Sequence, residues 1–421
     1  MDGCVQWVGN EGKVHAFDVV EAMAFKYAET RYWEQYEATP VFARVMQFEY
    51  LQHQDAKDSD FTQFRILGKG GFGLVYGCRK NTTGTMYAMK TMGKARVKKK
   101  KSEQLCINER MALNEANSPF VVCLKYAFAN DQDLYLIIDL MMGGDLNYWL
   151  NEKHTFSKSE ARYYSARTLL GIQHLHSLGL VYRDLKPENI LMDEMGRTRI
   201  SDLGLACKVT PDLKGTCGTR GYMAPEMLKR DEEGHRLCYG VTVDWFSFGC
   251  VVYEFIHGKS PFRSHKAKHF KAKGAEGDAD DAGDDEETKK RKSKDAKLKK
   301  QKSKGKGELD PISLATLEME IEYNDDAFDA PTKAFCARLL ERDPAKRLGA
   351  NGGEEIMEDP WYTEHLKWPM IIHDLEEPPF KAGKDIHAAA ASEIGQYLRR
   401  LRAGVAVHIS DFWIVRLRRR V

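Results

Sequence analysis

The feature that most constrains this chain is the polar octapeptide YRDLKPEN at 182–189. Transfer of a phosphoryl group to a hydroxyl needs a carboxylate that orients the hydroxyl and accepts its proton, a cation for the migrating group and an amide oxygen for magnesium. Asp184, Lys186 and Asn189 supply these groups within six residues. A polar surface loop is the alternative, but chance rarely produces this combination. The octapeptide therefore predicts phosphoryl-transfer chemistry, with these three residues as catalytic groups and Asn189 also as a metal ligand.

A glycine-rich segment precedes this motif and lies between two strand-like stretches, 64–67 and 75–79. Glycines let the backbone approach phosphates, and Phe72 at the tip of the loop would shield them from water. A dinucleotide-binding loop also has three glycines, but it joins a strand to a helix rather than to another strand. The segment predicts a nucleotide phosphate site formed by Leu67, Gly68, Lys69, Gly70, Gly71, Phe72, Gly73, Leu74 and Val75.

Lys90 ends a third strand-like stretch, in which the small Ala88 suits a flat adenine ring. Glu109 lies in the apolar stripe of a helix predicted from about Ser102 to Ala116. A carboxylate in an apolar stripe needs a partner, and Lys90 is the natural one. The alternative is a surface lysine and a solvated helix charge. We expect the pair, with Lys90 directed at phosphate oxygens and both residues in the catalytic set.

Two motifs after the octapeptide complete the set. Asp202, in Asp-Leu-Gly, supplies a second metal carboxylate, and Glu226 closes the segment Ala-Pro-Glu. Arg347 is the expected buried partner of Glu226, in a mainly architectural ion pair. In this order and spacing the motifs are the working parts of a protein kinase. They predict an α+β bilobal fold with a small, mainly β N-lobe and a larger, mainly α C-lobe.

The periodicity divides the chain into three parts. Residues 1–60 are expected to form a helical extension, with helical patterning at 14–51; residues 61–362 a kinase domain; and residues 363–421 a C-terminal tail with an Arg-rich end. Within the C-lobe, residues 266–307 carry almost no apolar side chains and pass from acidic to basic. Such a stretch cannot offset its ordering entropy by burial, so we expect a disordered insertion.

Composition narrows the compartment and the partners. The net charge of +2 gives no reason to expect a nucleic-acid partner, and no oligomeric state can be predicted from it. The nine cysteines include no Cys-x-x-Cys pair, which favours reduced thiols in the cytoplasm or nucleus. Neither a secretory signal nor an apolar run long enough to span a membrane is expected.

Several segments resemble the AGC group of protein kinases, in which a tyrosine such as Tyr182 commonly replaces the histidine of His-Arg-Asp. Within that group the chain is similar to the G-protein-coupled receptor kinases, particularly their beta-adrenergic receptor kinase branch. The segments that carry the resemblance are GGFG at 70–73, YGCRK at 76–80, NER at 108–110, ISDLGLAC at 200–207 and GYMAPE at 221–226.

The resemblance implies a Ser/Thr kinase that uses ATP and magnesium and phosphorylates activated G-protein-coupled receptors. It assigns Ile138 as gatekeeper and Asp139 to Met141 as the adenine-binding hinge, with Leu191 as a further nucleotide contact. It also implies a stacked apolar spine of Leu113, Leu124, Tyr182 and Leu203.

The activation segment, which ends at Ala-Pro-Glu (224–226), departs from the AGC pattern. Most AGC kinases phosphorylate a threonine two residues before the segment's Cys-Gly-Thr, where this chain has Gly215. Without a hydroxyl there is no activating phosphate at that place, so the active state must be assembled otherwise, in this family by the activated receptor. Thr216 remains a minor candidate for phosphorylation.

The regions outside the kinase domain leave membrane recruitment open. The family embeds its kinase in a regulator-of-G-protein-signalling homology domain, of which residues 1–60 resemble at most a terminal fragment, and we expect no lipid-binding pleckstrin domain. The Arg-rich end is either a contact for anionic lipid, a disordered tail or an incorrectly predicted gene end. The basic run 289–306 is either a nuclear import signal, a docking arm or a solvated spacer.

Two other functions were weighed. A general basophilic AGC kinase would use Asp145 and Glu188, carboxylates placed where that group receives substrate arginines. A pseudokinase scaffold would lack one of the catalytic groups, and all of these are present: Lys90, Asp184, Asn189 and Asp202.

Overall fold

The computed structural model describes residues 10–52, 55–69, 72–271, 309–324 and 326–381. It divides into two compact units, one before Asp58 and one from Asp58 onward. The first unit contains α1 (Asn10–Glu37) and α2 (Pro40–Gln52). The rings of Trp33 and Tyr36 lie 5.8 and 5.3 Å from the ring of Phe42 and join the two helices. The helical patterning predicted for residues 14–51 is confirmed.

The second unit begins with a five-stranded antiparallel sheet in the order β1-β2-β3-β5-β4. Lys90 of the third strand pairs with Val75, and Ala88 pairs with Ile138 on the fifth, so phosphate loop, lysine and hinge lie on neighbouring strands. The elements of this small lobe are β1 (Phe61–Lys69), β2 (Gly73–Lys80), β3 (Met86–Gly93), α3 (Lys94–Lys99), α4 (Glu103–Glu115), β4 (Leu124–Ala129) and β5 (Asp133–Ile138).

The large lobe is mainly helical, and its core is α8, in which every residue from Val243 to Ile256 is buried. A helix that is apolar on all faces belongs in a core. The helices are α5 (Leu146–Lys153), α6 (Lys158–Ser177), α7 (Pro225–Leu228), α8 (Thr242–His257), α9 (His265–Lys268), α10 (Pro311–Glu318), α11 (Ala330–Leu339), α12 (Glu354–Met357), α13 (Pro360–Thr363) and α14 (Trp368–Ile372).

Short strands and 3₁₀ turns carry the motifs between α6 and α7. The strands are β6 (Leu180–Val181), β7 (Ile190–Met192), β8 (Thr198–Ile200) and β9 (Cys207–Lys208), and the turns are Pro187–Asn189 and Leu203–Leu205. β6 pairs with β9 and β7 with β8, which brings the octapeptide beside the Asp-Leu-Gly triplet. The predicted α+β bilobal architecture, with a mainly β small lobe and a mainly α large lobe, is confirmed.

The insertion begins later than its composition predicts. Residues 265–268 form α9, because the Ser264 hydroxyl accepts the N–H of Ala267 at 3.2 Å and the Ala267 side chain is fully buried. The predicted start at residue 266 is therefore wrong, since one cap and one buried methyl group order a turn that is otherwise charged. Residues 272–308, with the basic run 289–306, lie outside the described residues.

The described part of the tail is attached to the large lobe. Asp374 pairs with the buried Arg167. The ring of Phe380 lies 4.8 Å from that of Trp149 and 5.5 Å from that of Tyr164. The Arg-rich end lies outside the described residues. Among the described helices, none has the length and apolarity needed to cross a bilayer.

Candidate active site

The predicted pair of Lys90 and Glu109 forms, and it gains a third member. Lys90 Nζ lies 2.5 Å from Glu109 Oε1 and 3.1 Å from Asp202 Oδ1. Glu109 is 3% exposed on α4, so its carboxylate depends on this ammonium for a counter-charge. Burial disfavours the charged lysine, but the two carboxylates outweigh it and raise the pKa of Lys90. The lysine is therefore held as a fixed cation between the helix and the Asp-Leu-Gly triplet.

Asp202 has an unusual backbone conformation. Its φ of 52° and ψ of 71° are left-handed, a region that non-glycine residues rarely enter and that recurs at functional sites. The Lys90 ammonium is the main cause of a lowered pKa for the Asp202 carboxyl. This carboxylate stays ionised at neutral pH, as a metal ligand requires.

The three predicted groups of the octapeptide converge on one carboxylate. Lys186 Nζ lies 2.8 Å from Asp184 Oδ2, and Asn189 Nδ2 donates to the same oxygen at 3.1 Å. Thr219, which the sequence did not single out, donates to Asp184 Oδ1 at 2.6 Å and accepts from Lys186 at 2.8 Å. Both oxygens of Asp184 are thus oriented by neighbours from the octapeptide and from the activation segment.

Asp244 holds the start of the octapeptide through its backbone. This fully buried carboxylate on α8 accepts the backbone N–H groups of Tyr182 and Arg183, each at 2.8 Å. Its Oδ2 also lies 2.8 Å from His176 Nε2. The sequence does carry a signal for this role: Asp244 begins an apolar run, and a carboxylate buried in such a run must find hydrogen-bond donors.

The glycine-rich loop is described except for Gly70 and Gly71. Gly68 and Lys69 pair with Val75 and Leu74 across β1 and β2, and Leu67 precedes them. A Cβ at Gly73 would lie 1.7 Å from the carbonyl oxygen of Thr91, whereas one at Gly68 would meet nothing within 4 Å. Gly73 is therefore required by strand packing, and Gly68 leaves open space beside the backbone. Phe72 lies under Lys100, whose Nζ is 5.3 Å from the ring.

The predicted hinge lies at the end of β5. Ala88 is buried opposite Ile138, while Met141 and Leu191 are partly buried. The Asp139 carboxylate faces other partners: it accepts the N–H of Cys123 at 3.0 Å and pairs with Arg199 and Lys125 at 2.7 and 3.1 Å. Any adenine contact at Asp139 is therefore left to its backbone.

The apolar spine occupies the centre of the kinase unit. Leu113, Tyr182 and Leu203 are buried, and Leu124 is partly buried against the same core. The Tyr182 hydroxyl donates to the carbonyl of Ser201 at 2.6 Å, immediately before Asp202. The spine therefore connects the octapeptide with the triplet.

The guanidinium of Arg183 donates hydrogen bonds to neutral groups of the chain. Its Nε donates to the Leu205 carbonyl at 2.8 Å and its Nη1 to the Tyr239 hydroxyl at 3.2 Å. Gly215 has a φ of 120°, a conformation that favours glycine. The activation segment is thus ordered by neutral partners at this point.

The predicted ion pair of Glu226 and Arg347 is confirmed. Arg347 Nη1 and Nη2 donate to the two carboxylate oxygens at 2.6 and 2.9 Å, and both side chains are buried. This bidentate ion pair joins α7 to the segment before α12.

The residues present fit a magnesium nucleotide. The side-chain amide nitrogen of Asn189 donates to Asp184, which leaves its side-chain oxygen available as a metal ligand. The backbone N–H of Ser201 donates to the backbone carbonyl of Asn189 at 2.8 Å. This bond holds Asn189 close to Asp202. Amide and carboxylate oxygens are ligands that Mg²⁺ accepts, and the Lys90 ammonium is a cation that would suit phosphate oxygens.

Comparison with known proteins agrees with this geometry. Residues 61–362 match the family description "Protein kinase domain". Beta-adrenergic receptor kinase 1 of Homo sapiens is 38% identical over 360 residues, covering 84% of this chain and 46% of that protein. G protein-coupled receptor kinase 2 of Caenorhabditis elegans is 36% identical over 365 residues, covering 85% of this chain and 45% of the relative.

Rhodopsin kinase GRK7 of Ictidomys tridecemlineatus is 35% identical over 367 residues, covering 86% of this chain and 59% of that protein. The chain spans about half the length of these relatives. The matched residues include the octapeptide, the triplet and the glycine-rich loop. The chain belongs to the protein kinase family, and over most of its length it is similar to the G-protein-coupled receptor kinases.

Proposed function

We propose that this chain is an ATP- and Mg²⁺-dependent Ser/Thr protein kinase. The observation that carries the proposal is the arrangement around Asp184, whose two carboxylate oxygens are oriented by Lys186, Asn189 and Thr219. A carboxylate held in this way can orient a substrate hydroxyl and accept its proton.

Each remaining group has a complementary task. Bound MgATP supplies the γ-phosphoryl group and the metal charge that offsets its negative charge. Lys90, fixed by Glu109, holds phosphate oxygens, and Lys186 offsets charge beside the substrate hydroxyl. Asn189 and Asp202 would hold the metal, and the open backbone at Gly68 would leave room for the phosphates.

We further propose activated G-protein-coupled receptors as the substrates. The proposal is supported by the relatives, which are named as receptor kinases, and by the absence of a hydroxyl at Gly215. Arg183 is occupied by Leu205 and Tyr239, so the described activation segment does not depend on a phosphate at this arginine. The activating contact then comes from the receptor itself.

The alternative is a basophilic AGC kinase that acts on soluble substrates. It requires Asp145 and Glu188 to be available, and both are engaged within the chain. Asp145 Oδ1 accepts the N–H of Tyr148 at 2.8 Å at the start of α5, and Glu188 lies 3.8 Å from Arg263. These contacts favour the receptor kinase.

We propose a cytoplasmic location with peripheral contact at the membrane, because the proposed substrate is a membrane protein. The Arg-rich end is the candidate for contact with anionic lipid. Entry into the nucleus through residues 289–306 is the alternative that the basic run leaves open.

The test uses the full chain with ATP and Mg²⁺, once with light-activated rhodopsin and once with an Arg-rich peptide. We expect phosphate on activated rhodopsin and little on dark rhodopsin, with Asp184→Asn as the inactive control. Transfer to the peptide alone would refute the receptor assignment. Equal failure of wild type and D184N with every substrate would refute the kinase and favour a scaffold.

A further inference from the structure

A small charged recess lies beside the candidate catalytic carboxylate. It is formed by Glu188 of the octapeptide, Tyr222 of the activation segment and Glu254 of α8, and we call it the acidic recess. Tyr222 donates its hydroxyl to Glu254 Oε2 at 2.5 Å. Glu188 is four residues from Asp184, and Tyr222 is three residues from Thr219, which contacts Asp184. The acidic recess therefore adjoins the place where a substrate segment must lie.

The recess is already occupied by a cation from the same chain. Arg263 Nη1 lies 3.8 Å from Glu188 Oε1 and donates to the Tyr222 hydroxyl at 3.5 Å. Its guanidinium carbon lies 5.6 Å from the centre of the Tyr222 ring. Arg263 thus contacts Glu188 and Tyr222, and its guanidinium lies within cation–π distance of the Tyr222 ring.

The backbone keeps this arginine in place. A Cβ at Gly221 would lie 2.4 Å from Arg263 Cγ, so the glycine makes room for the stem of the arginine. The Ser260 hydroxyl donates to the Gly221 carbonyl at 2.9 Å, and Arg263 N–H donates to the Ser260 carbonyl at 3.2 Å. The loop after α8 is therefore tied to the activation segment at the recess.

Removing Arg263 would leave Glu188 able to receive another cation. Glu188 Oε2 is buried and accepts no hydrogen bond from the described residues. The contact between Glu188 and Arg263 is too long for a hydrogen bond, and their side chains are 35% and 41% exposed. An exposed pair of this length contributes little to stability, so Arg263 can be replaced without loss of the fold.

We propose that Arg263 is a specificity-determining residue that fills the acidic recess and excludes substrate arginines from it. The inference rests on the proposed kinase function. A peptide arginine that approached Glu188 and Glu254 would meet a guanidinium already in place. The kinase would therefore favour peptides that have no basic residue at the position that meets the recess. Removal of Arg263 would create a preference for arginine there.

The test measures discrimination between two fluorescein-labelled peptides that share one serine. One carries arginines before the serine, and the other carries glutamines in their place. Fluorescence anisotropy gives the Kd of each peptide without turnover, and kcat/KM is measured in parallel. The variant Arg263→Met keeps the stem over the Tyr222 ring and removes the charge, and Arg263→Gln repeats the comparison with a polar side chain. Lys346→Met removes the same charge from an exposed site, where the lysine pairs with Asp343.

We expect both Arg263 variants to raise the affinity ratio of arginine to glutamine peptide by about tenfold or more, the usual effect of a hydrogen bond to a charged group. Lys346→Met should leave the ratio unchanged. Adding Glu188→Gln to Arg263→Met should return it toward the wild-type value.

An unchanged ratio in Arg263→Met and Arg263→Gln, both melting cooperatively, would overturn the proposal. A gain that persists after Glu188→Gln is added would also overturn it, because the recess would then not be the receiving site. If no variant, wild type included, phosphorylates either peptide or the receptor, the kinase proposal fails, while the affinity ratio still decides the role of Arg263.

Discussion

Replacing Arg347 with methionine tests how strongly one buried ion pair holds the large lobe together. The guanidinium donates to Glu226 at 2.6 and 2.9 Å, to the Thr242 carbonyl at 2.8 Å and to the Glu341 carbonyl at 2.9 Å. Methionine fills much of the volume but leaves the Glu226 carboxylate, which is 5% exposed, without a counter-charge. Removing one partner of such a pair costs about 3–5 kcal/mol.

The assay is urea unfolding of the full chain followed by tryptophan fluorescence. Trp245 is fully buried, and the backbone of Gly349 packs against its ring, two residues from Arg347. We expect Arg347→Met to lower the free energy of unfolding by about 4 kcal/mol and Tm by on the order of 10 °C.

The double variant Glu226→Gln with Arg347→Met is the matched control, because it removes both charges together. It should be more stable than Arg347→Met alone, since no uncompensated carboxylate remains. A loss below about 1 kcal/mol in the single variant, or a double variant as unstable as the sum of the two single changes, would refute the reasoning.

Three further predictions concern catalysis, pH and the tail. Thr219→Val removes the hydroxyl between Asp184 and Lys186 and should lower kcat about tenfold or more with Tm nearly unchanged; unchanged kcat would exclude an orienting role. Burial raises the pKa of the Glu254 carboxyl to about 7, so the folded state binds its proton more tightly than the unfolded state. Stability should therefore fall as pH rises from about 4.5 through about 7, by up to roughly 3 kcal/mol from this group, and Glu254→Gln should remove that part of the slope in urea titrations. Phe380→Ala should speed proteolysis after Lys381 at unchanged kinase-domain Tm, because the tail loses its ring contacts; equal cleavage rates would contradict the attachment.

The sequence predicted two ion pairs that the structure contains, because a buried carboxylate requires a counter-charge. Lys90 and Glu109 are 19 residues apart and still meet, since a buried carboxylate on α4 has few possible counter-charges. Glu226 and Arg347 were paired correctly for the same reason.

Residues with several possible partners were harder to place. Glu188 was read as a carboxylate available to substrate, but it faces Arg263, 75 positions later in the chain. Thr219 was not singled out, because nothing in the triplet Cys-Gly-Thr indicates that its hydroxyl reaches Asp184. Such contacts depend on how the activation segment folds back on the octapeptide, which no local pattern specifies.

Composition misplaced the boundary of the insertion. The run from Lys266 has the charges of a solvated segment, yet Ser264 caps a turn there and Ala267 is buried. Average polarity cannot detect one cap and one buried methyl group, which together order the turn at 265–268.

Asp244 couples local opening of the octapeptide to unfolding of the whole large lobe. The amide protons of Tyr182 and Arg183 are bonded to a side chain that projects from the most buried helix of the protein. They can exchange with solvent only when that helix separates from the loop, so their hydrogen-exchange free energies should equal the global unfolding free energy. Heating should then abolish activity and structure together, with no temperature interval in which a folded but inactive enzyme accumulates.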